Sequence, residues 1–345
     1  MAFPAPVPFV GKPRRPDGSV VDWVALHLAP PLAAAPWDPV LVEQLPAENR
    51  ASGVRPRDHG LRHAPHAAAA APQLLAAGEL HDYDRFGFIL RPGGGIPVLA
   101  PGEVAEQSRL WQAIFEAHCE GDPQGVNGFF KRYSGCYDLV SHPAVVQLAR
   151  DVLGPRLACW GAHWMCKPAG DALASPLGIS DDGTPRHHQD APGWPFRPAK
   201  TATVWVALDP VGPENGPMVV YPKSHLHGKV GCDDGAELAE LRRRFGEGVP
   251  LHPIRAGHAS IHCDMVVHSS PPSSGPNAGR RLAVGIEFVS MDGVTDNGSG
   301  WGAQCFVPGG EVTAAEAAAG FGHLARPAVY GPVGCEPPGG APARL

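Results

Sequence analysis

Short apolar segments separated by turns rich in glycine and proline constrain the fold of the second half of this chain. In the segment 201–208, Val204 and Val206 share one face, and Thr203 and Trp205 share the other. Further segments of this kind cover residues 158–167, 218–221, 259–268 and 281–289. This spacing predicts an antiparallel β core, either a sandwich or a barrel.

Helical periodicity precedes these strands. In residues 104–118, Leu110, Ile114 and Phe115 recur at helical spacing. A second apolar stripe covers 142–153 and stops at a Gly-Pro pair, which is a helix stop signal. Helices followed by strands predict an α+β fold with helices on the N-terminal side.

Composition divides the chain into three parts. Residues 1–75 are rich in proline and alanine and are predicted to be an extension without a core of its own. The main domain is expected over 76–310. A late alanine-rich helix over 312–324 and a Gly/Pro-rich tail are expected within 311–345. Because the 345 residues include 43 glycines and 40 prolines, we expect long loops.

Charge and hydropathy exclude several classes of protein. The net charge of −6 argues against a nucleic-acid-binding protein, which would show a basic patch. No apolar run is long enough for a membrane span, and no secretory signal is visible at the N-terminus. The eight cysteines form no C-x-x-C pair, so we expect reduced thiols in a cytoplasmic protein. Nothing in the sequence indicates its oligomeric state.

The 17 histidines are many for this length and make metal chemistry worth testing. His188 and Asp190 are two residues apart, so in an extended segment their side chains point the same way. A histidine from a neighbouring strand would complete a 2-His-1-carboxylate face, the arrangement found in non-heme Fe(II) oxygenases. The alternative interpretation is a solvent-exposed polar turn before Pro192.

The third ligand is expected at His268, which ends the apolar strand over 259–268 and precedes a Ser-Ser-Pro-Pro turn. His262 and His258 in the same segment compete for this role. A histidine at this position could also serve only to bind a loop carbonyl.

Arg280 and Arg281 open the strand over 281–289. A guanidinium at the start of an apolar strand is costly unless it meets an anion, and its planar fork matches a carboxylate. By alternation, Arg280 shares a face with Leu282 and Val284, whereas Arg281 shares a face with Ala283. Since the more apolar face is expected to face the core, we predict Arg280 as the inward arginine. Two surface arginines are the alternative.

In this order along residues 78–289, the motifs resemble the phytanoyl-CoA dioxygenase family of Fe(II)/2-oxoglutarate-dependent oxygenases. The resemblance depends on Asp84-Arg85-Phe86-Gly87-Phe88, on the helix that begins at His142-Pro143, on Met165-Cys166-Lys167-Pro168, on His188-Gln189-Asp190, and on Tyr221-Pro222-Lys223-Ser224-His225. Gly257-His258 stands where the family usually has Gly-Asp, and the loop between His268 and the arginines is longer. The choice between Arg280 and Arg281 therefore stays open.

The resemblance implies a double-stranded β-helix (a jelly-roll, cupin-like core) flanked by N-terminal helices. It implies Fe(II) ligands at His188, Asp190 and His268. It implies 2-oxoglutarate contacts at Arg280, with Lys167 and Trp205 as lesser candidates. The implied reaction uses O2 to hydroxylate an unactivated C–H bond of a small-molecule metabolite, with release of succinate and CO2.

Two other functions are compatible with the same residues. One is a non-oxygenase divalent-metal enzyme, such as a cupin-like hydrolase or isomerase, which would need no inward arginine. The other is a binding protein of the same shape that has lost turnover. No basic patch for the phosphates of coenzyme A is evident, so the family name does not imply an acyl-CoA substrate.

Overall fold

The computed structural model describes residues 74–118, 128–167, 187–232, 235–273 and 279–337. The helices are α1 (Ala77–Phe86), α2 (Pro101–His118), α3 (Ser134–Val140), α4 (Pro143–Leu153), α5 (Gly235–Phe245) and α6 (Ala314–Ala318). The strands are β1 (Phe88–Ile89), β2 (Ile96–Pro97), β3 (Leu157–Lys167), β4 (Phe196–Arg197), β5 (Thr201–Ala207), β6 (Val219–Tyr221), β7 (Val249–Pro250), β8 (His258–Cys263), β9 (Val267–Ser269), β10 (Arg281–Ser290) and β11 (Thr295–Asp296).

Two antiparallel sheets form the β core. The larger sheet has six strands in the order β1-β8-β5-β10-β3, with β2 also paired to β8. The smaller sheet has the order β7-β6-β9, and β11 pairs with β4 separately. All the pairings between these strands are antiparallel. The mixture of helices and antiparallel sheets confirms the predicted α+β class.

One face of the larger sheet, here called the outer face, packs against the helices. Val204, Val284 and Ile286 on this face are fully buried in one cluster with Ile114 of α2 and Leu148 of α4. The apolar stripes that the sequence shows on these helices are therefore the surfaces that cover the sheet. Burying one such side chain contributes about 2 kcal/mol, so this cluster is a major source of stability.

The opposite face of the larger sheet, here called the inner face, faces the smaller sheet. Trp205 and Ala283 on the inner face join one apolar cluster with Val220 of β6 and Val249 of β7. Strand alternation places the remaining inner-face residues of the central strands as follows: Thr203 and Ala207 on β5, and Arg281, Gly285 and Glu287 on β10. Polar side chains on a buried face need partners or a ligand.

Two predicted elements differ in the structure. The single strand expected over 259–268 is wrong, because residues 264–266 form a turn between β8 and β9. The turn transfers the chain from the larger to the smaller sheet and buries the Asp264 carboxylate against Thr203 Oγ1, at 2.7 Å. The helix expected over 312–324 is also shorter: α6 ends at Ala318, and Gly320 follows with φ 97°.

Gly87 joins α1 to the larger sheet. Its φ of 87° is left-handed, which ends α1 and directs the chain into β1. A Cβ at this position would lie 2.6 Å from Nδ1 of His225. The glycine of the Phe-Gly-Phe segment is therefore required both by backbone conformation and by the close approach of the His225 ring.

The parts of the predicted extension and tail that are described pack against the main domain. Asp151 of α4 accepts hydrogen bonds from the backbone amides of Leu74 and Leu75, at 2.8 and 2.9 Å. The amide of Ser134 donates to the carbonyl of Val329 at 2.7 Å. Most of the extension over 1–75 lies outside the described residues. No helix among the described residues is long and apolar enough to cross a membrane.

Acidification is expected to loosen α6. Glu316 pairs with Arg156 at 2.5 Å, and this pairing, opposed by burial, lowers the pKa of Glu316 to about 2. A lowered folded-state pKa stabilises the protein above the ordinary pKa of glutamate, and that contribution is lost as the pH falls towards 2. We expect Glu316→Gln to lower the free energy of unfolding by roughly 2 kcal/mol at pH 7 and by less than half of that at pH 3. Chemical denaturation at the two pH values measures this difference, and an equal loss at both would contradict it.

Candidate metal centre

The side chains of His188 and Asp190 meet that of His268, which is about 80 positions later in the sequence, between the two sheets. The Nε2 atom of His188 lies 3.3 Å from Oδ1 of Asp190, and Nε2 of His268 lies 3.6 Å from Oδ2. One ligand atom from each residue lies within 4.8 Å of the others. Two imidazole nitrogens and a carboxylate at this separation can bind one divalent cation.

Backbone pairing brings the two histidines together. His188 and His268 form an antiparallel bridge in which each amide donates to the other residue's carbonyl, at 3.0 and 2.9 Å. Asp190 has helical dihedral angles (φ −76°, ψ −50°) and begins a short 3-10 turn. The segment 188–190 is therefore not extended throughout, which differs from the expectation based on the sequence. The turn at Asp190 directs its carboxylate towards both imidazole rings.

Neighbouring groups fix the orientation of the three side chains. His268 Nδ1 lies 3.1 Å from the carbonyl of Val266, which can only accept, so Nδ1 is the protonated nitrogen and the lone pair of Nε2 is available to a cation. Gln189 donates to the carbonyls of Gly228 and Met265, at 2.8 and 2.6 Å, and accepts from the amide of Val230 at 2.8 Å. Gln189, which lies between His188 and Asp190, therefore anchors their loop.

The protonation states of Asp190 and His268 near pH 7 are compatible with binding a cation. Burial raises the pKa of Asp190, but the neighbouring His268 and His188 outweigh burial and hold it well below its usual range. Burial, reinforced by His188, lowers the pKa of His268 to about 4. Near pH 7 the group therefore presents a carboxylate and a neutral His268, the forms that bind metals.

The two competing histidines lie in different surroundings. His258 is half-buried, and its Nδ1 lies 3.2 Å from the carbonyl of Gly95. His262 is buried beside the centre, with its ring centroid 5.1 Å from that of His268, and it forms a second close group with Asp190 and Asp264. Burial lowers the pKa of His262 to about 3 and raises that of Asp264. His262 thus lies beside the three side chains as a neutral ring.

The prediction that Arg280 faces inward is wrong. Arg280 binds both carboxylate oxygens of Asp209, at 2.7 and 2.9 Å, and remains partly exposed. Arg281 is the inner-face residue and is 2% exposed. All of β10 is buried on both faces, so the more apolar face is the one covered by helices and the less apolar face points between the sheets. The apolar character of the residues therefore could not show which face of β10 points between the sheets.

Arg281 and Lys167 form a buried pair of cations. They are direct neighbours across β10 and β3, and each is 2% exposed. Both donate to the carbonyl of Gly216, Arg281 at 2.7 Å and Lys167 at 2.9 Å; Lys167 also donates to the carbonyl of Pro271. Neither has a carboxylate partner within the part of the chain that the structure describes. Two cations buried together against neutral groups indicate an anion-binding site.

Trp205 and Ser270 connect this cationic pair to the three-residue centre. The guanidinium of Arg281 lies 5.3 Å from the Trp205 ring centroid and donates to Ser270 Oγ at 3.3 Å. Ser270 is two residues from His268. Burial lowers the pKa of Lys167, and the adjacent Arg281 lowers it further; an anion would relieve this repulsion.

Sequence reasoning missed three polar residues near the centre. His163, Glu287 and Asp264 are all on the inner face or at its end, and burial raises the pKa of Glu287 and that of Asp264. The signal available for Glu287 was a carboxylate inside an apolar strand, in alternation with Arg281.

Two aromatic residues follow Asp190 closely in the sequence. Trp194 packs edge-on against Trp160 at 4.6 Å. Phe196 is 1% exposed and stacks with Phe321, so it is a core residue.

Comparisons with known proteins bear on the family and the fold. Residues 83–282 match the family model described as phytanoyl-CoA dioxygenase (PhyH). The apo structure of a non-heme monooxygenase, ThoJ, is similar at 21% identity and TM-score 0.55, over 72% of this chain and 88% of that chain. EctD from S. alaskensis with 2-oxoglutarate and 5-hydroxyectoine is similar at 20% identity and TM-score 0.55, over 72% and 87%. At these identities the structures show a shared fold. No curated protein sequence matches the chain.

Proposed function

Because this chain belongs to the phytanoyl-CoA dioxygenase family, we propose that it is a non-heme Fe(II)- and 2-oxoglutarate-dependent oxygenase that hydroxylates an unactivated C–H bond of a small-molecule metabolite. The two facing antiparallel sheets are, in this interpretation, a double-stranded β-helix of the jelly-roll, cupin-like kind. The main domain is taken as 76–310, between the extension over 1–75 and the tail over 311–345.

The donor set fits the metal. His188 and His268 would supply imidazole nitrogens and Asp190 a carboxylate oxygen, which is the ligand combination of non-heme iron oxygenases. If protein side chains filled every coordination position of the metal, no co-substrate could bind to it. Three protein ligands leave coordination positions open. When bound, Fe(II) and 2-oxoglutarate supply the activation of O2 that side chains cannot perform, with succinate and CO2 as products.

The buried cationic pair fits the co-substrate and is the observation on which the proposal depends most. Arg281, with Lys167 beside it, would bind the distal carboxylate of 2-oxoglutarate, and Nε of Arg281 is buried without a hydrogen-bond partner among the described residues. Trp205 holds the guanidinium by its ring face. A hydrolase or isomerase on the same three ligands would have no use for two buried cations at this position.

Apolar residues on the inner face would also exclude water from the space around a bound co-substrate. Ala283 and Trp205 are buried on the inner face between the cations and the centre, and Met165 packs against their cluster. An apolar surface strengthens the ionic contacts of a bound dicarboxylate by excluding solvent. His188 is 40% exposed at its side chain, so the centre is open on that side, and we place the entry of substrate there.

An anaerobic titration tests the proposal. Adding 2-oxoglutarate to the Fe(II)-loaded protein is expected to produce a weak visible charge-transfer band, and admitting O2 is expected to yield succinate. Zn(II)-loaded protein is the matched control, since zinc has no redox chemistry. Folded, iron-loaded protein that gives neither the band nor succinate would contradict the proposal and favour the metal hydrolase.

A further inference from the structure

A second pair of ionisable side chains, His163 and Glu287, lies on the inner face and has no role in the functions described above. Nδ1 of His163 is 2.6 Å from Oε1 of Glu287. Glu287 is only 7% exposed, and its Oε2 atom has no hydrogen-bond partner among the described residues. A buried carboxylate oxygen without a partner destabilises the fold, so a ligand that donates to Oε2 would offset that cost.

Strand register places this pair beside the metal centre, on the side away from Arg281. Glu287 is directly opposite Thr203 on β5, and Thr203 is directly opposite His262 on β8. The His262 ring lies 5.1 Å from that of His268. Arg281 is six residues from Glu287 on the same face, about 20 Å along the strand. The pair therefore lies away from the proposed co-substrate cations, on the side left for the substrate.

Electrostatics agree with this placement. Burial raises the pKa of Glu287, and the charge of Asp190 raises it further against the opposing effect of His163. Burial lowers the pKa of His163, but Glu287, with Asp190, outweighs it and the net shift is upward. The charge of Asp190 thus acts on both members of the pair, in agreement with the strand register that brings them near it.

The pair reaches solvent through His163, and Gly161 leaves room for the buried carboxylate of Glu287. The His163 side chain is 40% exposed, as is that of His188. Gly161 stands opposite Glu287 on β3, and a Cβ there would overlap Oε2 of Glu287. Since Gly161 does not have a positive φ, the missing side chain serves to make space for the carboxylate rather than to relieve backbone strain.

We propose that His163 and Glu287 bind a hydrogen-bond-donating group of the substrate, a hydroxyl or an amino group, and so orient a neighbouring C–H bond towards the metal. The inference rests on the proposed function and adds a substrate class to it: alcohols and amines, with a carboxylate or phosphate disfavoured at this position. An anionic group has no proton to donate to Oε2 and is repelled by Glu287 and Asp190.

Three probes that share one ring test this specificity: cyclohexanol, cyclohexylammonium and cyclohexanecarboxylate. Binding to the Zn(II)- and 2-oxoglutarate-loaded protein is measured by saturation-transfer NMR, with no turnover to confuse the result. We expect the alcohol and the ammonium probe to bind and the carboxylate not to bind. Glu287→Ala is expected to weaken both binders at least tenfold, as for loss of a hydrogen bond to a charged group.

Two more variants distinguish loss of the contact between Glu287 and the probe from a general loss of folding. Glu287→Gln keeps the shape and an accepting oxygen but removes the charge, so it should weaken the ammonium more than the alcohol. Gly161→Ala keeps both charged residues but displaces the carboxylate, and it should weaken both probes. Glu116→Gln on the exposed face of α2 is the matched control and should change neither.

The proposal is overturned if wild-type protein binds the carboxylate as well as the alcohol, if neither donor probe binds, or if Glu287→Ala changes nothing. The Fe(II)/2-oxoglutarate absorbance band, recorded on the same proteins, distinguishes the two levels of inference. A band that persists in Glu287→Ala while the probes no longer bind supports both. Absence of the band in wild type contradicts the proposed function, whereas a normal band with no probe preference contradicts only the role of the pair.

Discussion

Asp190→Ala is expected to lower the affinity for Fe(II) more than 100-fold and to abolish succinate formation. Loss of residues that only orient a ligand typically costs 10–100-fold in metal affinity, so loss of a ligand itself should exceed that range. The carboxylate is also the anionic member of the group, 3.3 and 3.6 Å from the two imidazole nitrogens, so its removal leaves two imidazoles without an anion. Anaerobic calorimetry with Fe(II), or with Mn(II) in air, measures the loss.

Asp292→Ala is the matched control, because Asp292 is exposed on a turn after β10. It should leave the metal affinity unchanged. The melting temperature of the metal-free Asp190 variant, measured with a chelator, shows whether the fold persists. A folded Asp190→Ala protein that still binds Fe(II) within tenfold of wild type would contradict the proposed ligand set.

Arg281→Gln is expected to weaken 2-oxoglutarate binding about 100-fold while leaving Fe(II) binding intact. The guanidinium is buried and would make charge-assisted hydrogen bonds to a carboxylate, each worth about 1.5–3 kcal/mol. Titration of the iron-loaded variant with 2-oxoglutarate, followed by the visible band, gives the change in dissociation constant directly.

Arg280→Gln is the informative comparison, because the two arginines are adjacent and differ in burial. It removes the pair with Asp209, which still accepts from the amide of Leu282 at 2.9 Å. The expected cost is about 1 kcal/mol of stability, with 2-oxoglutarate binding unchanged. The reverse result, with binding lost in Arg280→Gln and retained in Arg281→Gln, would restore the interpretation that the sequence alone favoured.

Local patterns in the sequence were sufficient for the strands and for the helices that cover them. Residues 201–208 and 281–289 were predicted within one residue of β5 and β10, because alternation and flanking turns define both ends. His188, Asp190 and His268 were also singled out, and the structure brings them together. Their role as metal ligands stays a proposal.

Features that depend on long-range packing were not predictable in this way. The turn over 264–266 is stabilised by Thr203 from another strand, so the segment 259–268 shows no local sign of a break. The inward face of β10 depends on which layer covers each side, and both coverings are apolar. The surroundings of Glu287 depend on Gly161, which lies opposite it, and on His163, whose ring contacts its carboxylate; both are more than 120 positions earlier in the chain.

Because Lys167 and Arg281 are buried side by side, we expect the amount of folded protein to depend on the concentration of the dianion that binds them. Like charges held together in a dry interior destabilise the free protein, and a dianion that binds only the native state raises stability in proportion to the logarithm of its concentration. We therefore expect the free form to open more often and to be degraded faster by proteases than the saturated form. A cell short of central-carbon dicarboxylates would, by this route alone, hold less of the enzyme.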